Sequence, residues 1–257
     1  MTARWEPERV APELVELTRA LGDPARDLVI LAEGNTSEAF EDGTIAVKAS
    51  GARMDAAGPD DFVVVDVAEL VSLMLADDAD QAVLTAALDA GEHAGARRRA
   101  SIETLVHVAV RHFAPVRYVA HTHPTAVVSL LASVHAEHAF DETVYSDELV
   151  VLGTPLFVPY AQPGIALGRE FFERLRGHVD AHGALPSLVL LGNHGIVAIS
   201  ESSAGALAVS EMAVKSARVR TGALAVGGIA GLSAQSTAAY FDREDFRERR
   251  SGLAGRV

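Results

Sequence analysis

His121-Thr122-His123-Pro124 places two imidazoles two residues apart at the end of an apolar stretch that reads as a strand, Val116 to His121. Side chains at i and i+2 of a strand project to the same side of the pleat, so the two rings can grip one ion together. An isolated His-x-His is as often an ordinary surface or core pair, and a third imidazole changes the odds. His194 supplies one in Leu190-Leu191-Gly192-Asn193-His194-Gly195, at another strand end beside glycines that let the backbone turn sharply. Three neutral imidazoles with an open position form the donor set of a catalytic divalent site, zinc first. The chain has no Cys, so thiolate ligands and Cys nucleophiles are excluded and His and carboxylates remain.

Glu103 opens the helix that precedes the His121 strand. A carboxylate there lies near the imidazoles if the strand returns beside the helix, although an acidic residue in a first turn is also favoured simply by the helix dipole. Gly34-Asn35 and Ser50-Gly51 follow strands, and Ser101 sits at a helix N-terminus. Backbone of each kind presents N–H groups to an anion, and only convergence of the three makes a site. Arg97-Arg98-Arg99 could add charge, but a short basic run is more often a solvated surface.

These residues require elements to carry them. Apolar periodicity predicts an amphipathic helix over Leu14 to Leu21, ended by Gly22-Asp23-Pro24. Leu28 to Leu31 reads as a short buried strand, and Thr44 to Ala49 and Phe62 to Val67 as further strands, the last leading into a helix over Glu69 to Leu75. Helices are expected over Ser101 to His112, Thr125 to Ser133, Ile165 to Arg176 and Ser203 to Arg220. Leu149 to Leu152, Leu156 to Val158, Leu188 to Leu191 and Ile196 to Ile199 read as strands. This alternation by itself favours a parallel sheet. No repeat or linker divides the chain, so one domain over 1–257 is expected, with a flexible polar tail from about 241.

With 22 Lys and Arg against 35 Asp and Glu, the net charge of −13 repels a phosphate backbone, which argues against general nucleic-acid binding. There is no apolar run of about 18 residues and no apolar N-terminal leader pattern, so the expectation is a soluble cytoplasmic protein without a membrane partner.

The ordered motifs Glu33-Gly34-Asn35-Thr36-Ser37, Val47-Lys48-Ala49-Ser50-Gly51, Ser101-Ile102-Glu103-Thr104-Leu105-Val106-His107, His121-Thr122-His123-Pro124 and Asn193-His194-Gly195 together resemble the class II aldolase/adducin family. The resemblance covers roughly Leu14 to Gly222, and the spacing of the first two motifs looks more like the rhamnulose-phosphate aldolases than the compact fuculose-phosphate type. It implies a three-layer α/β/α fold around a mostly antiparallel sheet, and a homotetramer with active sites between subunits. It also implies that His121, His123 and His194 hold zinc, or cobalt or manganese, with Glu103 as the acid/base beside them. Gly34, Asn35, Ser50, Gly51 and Ser101 fall on phosphate-binding positions. Ile102 stands where family aldolases often carry a second Ser, which makes a carboxylate or another small anion more plausible there.

The implied reaction is reversible aldol cleavage of a ketose phosphate to dihydroxyacetone phosphate and an aldehyde. Family aldolases draw a Tyr from the neighbouring subunit to take the C4 hydroxyl proton, for which Tyr145 and Tyr240 are the candidates. A ribulose-phosphate 4-epimerase, with Asp147 near that family's second acid, a decarboxylase of a 3-keto acid phosphate, and a non-catalytic adducin-like module are the alternatives. A Schiff-base aldolase would have only Lys48 and Lys215 to use.

Overall fold

The computed structural model describes residues 3–93, 95–244 and 248. In chain order they form β1 (Ala3–Arg4), α1 (Pro12–Leu21), β2 (Asn35–Ala39), β3 (Thr44–Lys48), β4 (Phe62–Asp66), α2 (Val67–Leu75), α3 (Gln81–Ala87), β5 (Asp89–His93), β6 (Ala96–Arg99) and α4 (Thr104–Phe113). There follow β7 (Tyr118–Thr122), α5 (Thr125–Leu131), α6 (Ser146–Leu152), β8 (Leu156–Val158), α7 (Ile165–His182), β9 (Leu188–Leu191), β10 (Gly195–Ser200), α8 (Ser203–Ala225) and α9 (Ala234–Asp242). The tail expected from about residue 241 lies for the most part outside the described residues. No helix among the described residues is long and apolar enough to cross a membrane.

Eight strands form one sheet in the order β1-β4-β3-β2-β7-β10-β9-β8, and every pairing in it is antiparallel except β8 with β9. Helices cover both faces. Phe62 and Val64 of β4 and Leu188 and Leu190 of β9 pack with α1, α5 and α8, whereas Val63, Val65, Val189 and Leu191 pack with α2, α4 and α7. A strand buried on both sides reads as an unbroken apolar run. That is why Phe62-Val63-Val64-Val65 and Leu188-Val189-Leu190-Leu191 imitate a parallel sheet in the sequence although they pair antiparallel.

Two sequence expectations are corrected. Leu28 to Leu31 is not a strand: Leu28 is buried, but Ile30 and Leu31 are 63% and 75% exposed, and Leu31 has φ +53°. The segment turns over the end of the sheet, with the Leu28 carbonyl accepting from the His123 N–H at 2.9 Å. The strand in this region is the polar stretch Asn35–Ala39. Leu149 to Leu152 belongs to helix α6, because Glu148 is anchored on Arg220 of α8 at 2.7 Å and Val151 and Leu152 turn into the core.

The segment 81–99, unassigned from sequence, forms α3 and the β5–β6 hairpin. There Arg98 pairs with Asp61 at 2.9 Å and Arg97 with Asp89. The remaining expected helices and strands are present within a few residues at their ends, apart from α7 and α8, which run on to His182 and Ala225.

Candidate metal centre

Three central strands line up the site. Asn35 of β2 lies opposite His121 of β7, and His121 lies opposite Val197 of β10. Two residues on, His123 leaves the end of β7 on the same side. The turn from β9 to β10 swings His194 over it, with Asn193 at φ +53°. Gly195 is needed at this approach, since a Cβ there would stand 2.4 Å from the Thr122 carbonyl oxygen and 2.7 Å from His123 Cδ2. Glu103 caps the N-terminus of α4, which packs on the same face of the sheet. One donor atom from each of Glu103, His121, His123 and His194 falls within 4.8 Å of all the others.

The donor geometry is specific. His121 is fully buried and its Nδ1–H donates to the Ile196 carbonyl at 2.9 Å, so Nε2 is the nitrogen that faces the other donors. His123 Nε2 stands 2.9 Å from that atom. His194 Nε2 lies 2.8 Å from Glu103 Oε1, and His121 Nε2 lies 3.4 Å from Glu103 Oε2.

Burial, then the neighbouring rings of His121 and His194, push His123 down to about 3, so this ring is neutral over the ordinary pH range. Burial opposes ionisation of Glu103, but the His121 and His194 imidazoles outweigh it and hold the carboxyl well below the usual carboxylate range. Burial likewise opposes the charge on His121, and Glu103 more than compensates. Three converging imidazole nitrogens and a carboxylate, with one ring locked by its second nitrogen, fit a divalent ion with nitrogen ligands.

The expected anion residues come together at one edge of this group. The Asn35 amide reaches Glu103 Oε2 at 3.0 Å and Ser101 Oγ at 3.4 Å. A bridge between Ala49 and Ala100 carries the Ser50-Gly51 turn to the Ser101 segment, where the Ser50 N–H donates to the Arg99 carbonyl at 2.8 Å. Gly34 and Gly51 have φ +68° and +84°, which only glycine adopts without strain.

Lys48, buried beside this turn, donates to the Ala49 and Ala52 carbonyls at 3.2 and 2.6 Å. Burial lowers its ammonium to about 8 despite the charges of Asp61 and Glu103. On the other side of the imidazoles, Val29, Ile30, Glu33 and Val128 line a groove of about 460 Å³ that opens onto His123 and His194.

The tyrosines are placed elsewhere. Tyr145 precedes α6 with its hydroxyl 2.6 Å from Met212 Sδ and its ring against Lys215, both on α8. Tyr240 lies on α9, where no residue is buried. Neither lines the groove beside the imidazoles of its own chain. Sequence reasoning assigned no task to His107, Ser37 or Arg111, which lie buried directly behind Asn35. Ser37 and His107 close two of the motifs behind the family resemblance, and beyond that the only signal is that polar residues recur inside an otherwise apolar helix and strand.

Known proteins share this architecture. The protein YgbL from Klebsiella pneumoniae superposes with a TM-score of 0.66 and 20% identity, over 93% of this chain and 99% of that one. An L-fuculose 1-phosphate aldolase from Glaciozyma antarctica PI12 gives 0.65 and 15%, over 97% and 84%. The uncharacterized oxidoreductase YuxG of Bacillus subtilis (strain 168) is 33% identical over 105 residues, which are 41% of this chain and 13% of YuxG. The model of the Class II Aldolase and Adducin N-terminal domain matches residues 12–221, the stretch that holds all four converging side chains. The chain therefore belongs to the class II aldolase and adducin N-terminal domain family.

Proposed function

We propose that the protein is a metal-dependent lyase that reversibly cleaves a ketose 1-phosphate into dihydroxyacetone phosphate and an aldehyde. The observation that carries this reading is the half-buried Glu103 carboxylate set among three imidazoles, all four donor atoms lying within 4.8 Å of one another. Zinc best suits three imidazole nitrogens, with cobalt or manganese able to substitute. When bound, such an ion would polarise the ketose carbonyl and stabilise the negative charge that appears as the C3–C4 bond breaks.

In this reading the chain's own residues divide the remaining work. Gly34, Ser50, Gly51 and Ser101 hold the phosphate, with Lys48 beneath them as its positive charge. Glu103, as the carboxylate, removes the C3 proton of dihydroxyacetone phosphate in the synthetic direction, and in cleavage it takes a proton from solvent and delivers it to C3 as the carboxylic acid. The groove beside Val29, Ile30 and Val128 takes the aldehyde end. The hydroxyl of Tyr145 or Tyr240 of a second copy relays the C4 hydroxyl proton to solvent, taking it at the phenol oxygen as its own proton leaves, which makes a homotetramer with shared sites part of the proposal. Assignment to the cytoplasm and a single domain over 1–257 belong to the same reading.

The test is a screen of ketose 1-phosphates for release of dihydroxyacetone phosphate. A chelator should abolish turnover and added zinc should restore it, while borohydride with substrate should trap nothing on Lys48 or Lys215. Turnover that survives chelation and is lost to borohydride would replace the reading with Schiff-base chemistry. Bound metal with no turnover on any ketose phosphate would favour a binding module.

A further inference from the structure

His107 follows Glu103 by four residues, so both face the sheet from the start of α4. It is fully buried, and both its ring nitrogens are engaged. Nδ1 is 2.6 Å from Ser37 Oγ, and Nε2 is hydrogen-bonded to Asn35 Oδ1. The other end of the Asn35 side chain meets Glu103 Oε2 and Ser101 Oγ. These contacts form one line, buried at Ser37, His107 and Asn35, that ends on the half-buried Glu103.

The direction of every hydrogen bond in that line follows from its end. The Asn35 NH2 faces Glu103 Oε2 and Ser101 Oγ, both of which can accept, and Asn35 Oδ1 faces His107 Nε2. Oδ1 needs a donor, which makes His107 the Nε2–H tautomer. Nδ1 is then a lone pair and accepts from the Ser37 hydroxyl. Nothing in the chain of contacts is left unsatisfied in this arrangement. In the opposite one, two oxygens would face each other at 3.0 Å.

The surroundings hold His107 in the single-proton state. Burial and the charges of Arg111 and His121 depress its basicity far below that of an ordinary histidine, against the opposing pull of Glu103. The Arg111 guanidinium itself donates to the Ser37 carbonyl at 3.2 Å and fixes the far end of the line.

We infer that His107 is a positioning residue for Glu103, acting through Asn35. The neutral ring locks the carboxamide so that its NH2 holds Glu103 Oε2, which leaves Oε1, beside His194, as the oxygen that exchanges protons with the substrate. Asn35 on this view orients the carboxylate, and the anion rests on the neighbouring glycine and serine positions. The inference rests on the proposed role of Glu103, and it gives a task to the His107 and Ser37 positions that the proposed reaction left unused.

The experiment has two arms. In the first, 15N-histidine NMR of the wild-type protein, with and without zinc, should show His107 protonated at Nε2 and bare at Nδ1. The opposite tautomer would overturn the inference. In the second, deuterium exchange from solvent into dihydroxyacetone phosphate is measured on metal-loaded variants.

His107→Leu should slow exchange about ten- to a hundredfold with metal content unchanged, as is typical when a supporting hydrogen bond is lost. Its KM for dihydroxyacetone phosphate should stay within about twofold, because binding is not what the line controls. His107→Gln can offer an N–H to Asn35 Oδ1 and should recover most of the rate. Wild-type exchange in His107→Leu, or no recovery in His107→Gln at equal metal content, would refute the inference. Should His107→Leu fail to fold, Ser37→Ala provides the second variant, with a smaller loss of rate and a partial shift of the His107 tautomer expected; the absence of both effects would refute the line. If the metal-loaded wild type exchanges no deuterium, the role of Glu103 fails, and the NMR arm still decides whether the line runs as described.

Discussion

His194 Nε2 stands 2.8 Å from Glu103 Oε1, close enough that the ring and the carboxylate share a hydrogen bond or a ligand but do not act independently. The ring arrives from the β9–β10 turn and the carboxylate from the head of α4, so a change on either side is felt at the other.

Removing one imidazole should empty the site. We expect the purified wild type to carry about one divalent ion per chain and His121→Ala or His194→Ala to lose it, since two remaining imidazoles leave the shell incomplete. Elemental analysis after dialysis checks this, and full occupancy in both variants would show the ion to lie elsewhere.

Glu103→Gln keeps the size of the side chain and its hydrogen-bonding reach but cannot move a proton. Metal content and the thermal midpoint should stay near those of the wild type, while proton exchange into dihydroxyacetone phosphate falls by about a hundredfold or more. Near-normal exchange would take Glu103 out of the reaction.

Gly195→Ala should disturb the centre without touching a donor. Its Cβ would press on the Thr122 carbonyl and on the His123 ring, so His123 must shift. Metal affinity should fall by about ten- to a hundredfold, the range seen when supports of a ligand are altered. Titration with a competing chelator measures it, and unchanged affinity would mean that the β9–β10 turn yields instead of the ring.

Lys48 should leave a signature in the pH dependence of stability. Its value in the fold, about 8, lies below the ordinary 10.5. The unfolded chain therefore binds more protons between those two pH values, and the contribution to stability rises as pH increases across that window. Below about pH 8 the buried ammonium opposes folding in full. The difference should amount to roughly 2–3 kcal/mol across the window. Urea unfolding of wild type and Lys48→Met at pH 7.5 and pH 10.5 isolates it: stability relative to the variant should rise with pH, and parallel behaviour of the two would contradict the burial of a charged amine.

The imidazoles were legible as candidates because each follows the end of an apolar run, whereas Glu103, an ordinary first-turn acid by spacing, stood out only through the family resemblance. The core strands were legible as strands but not in direction, since burial on both faces erases the alternation that marks an antiparallel sheet. The strand Asn35–Ala39 was hidden for a different reason. Its polar side chains find partners distant in sequence: Thr36 meets Thr18, Ser37 meets His107, and Glu38 Oε1 meets Arg117 at 2.8 Å. A local reading sees only a break after an apolar stretch. Leu149 to Leu152 misled in the same way, because only Arg220, far along the chain, shows that Glu148 belongs inside.

The strand order has a consequence for how the protein is made. β7, which carries His121 and His123, is flanked by β2 and by β10, and His194 enters only with the turn that precedes β10. A chain still emerging from the ribosome can pair β2 with β7 and present two imidazoles while the third is unmade. Tight capture of the ion must then wait for the long-range closure of β10 onto β7, a late event because the loop to be closed is long. A chain in which β10 has not closed onto β7 should therefore hold a divalent ion more weakly than the folded protein, because it offers two imidazoles in place of three.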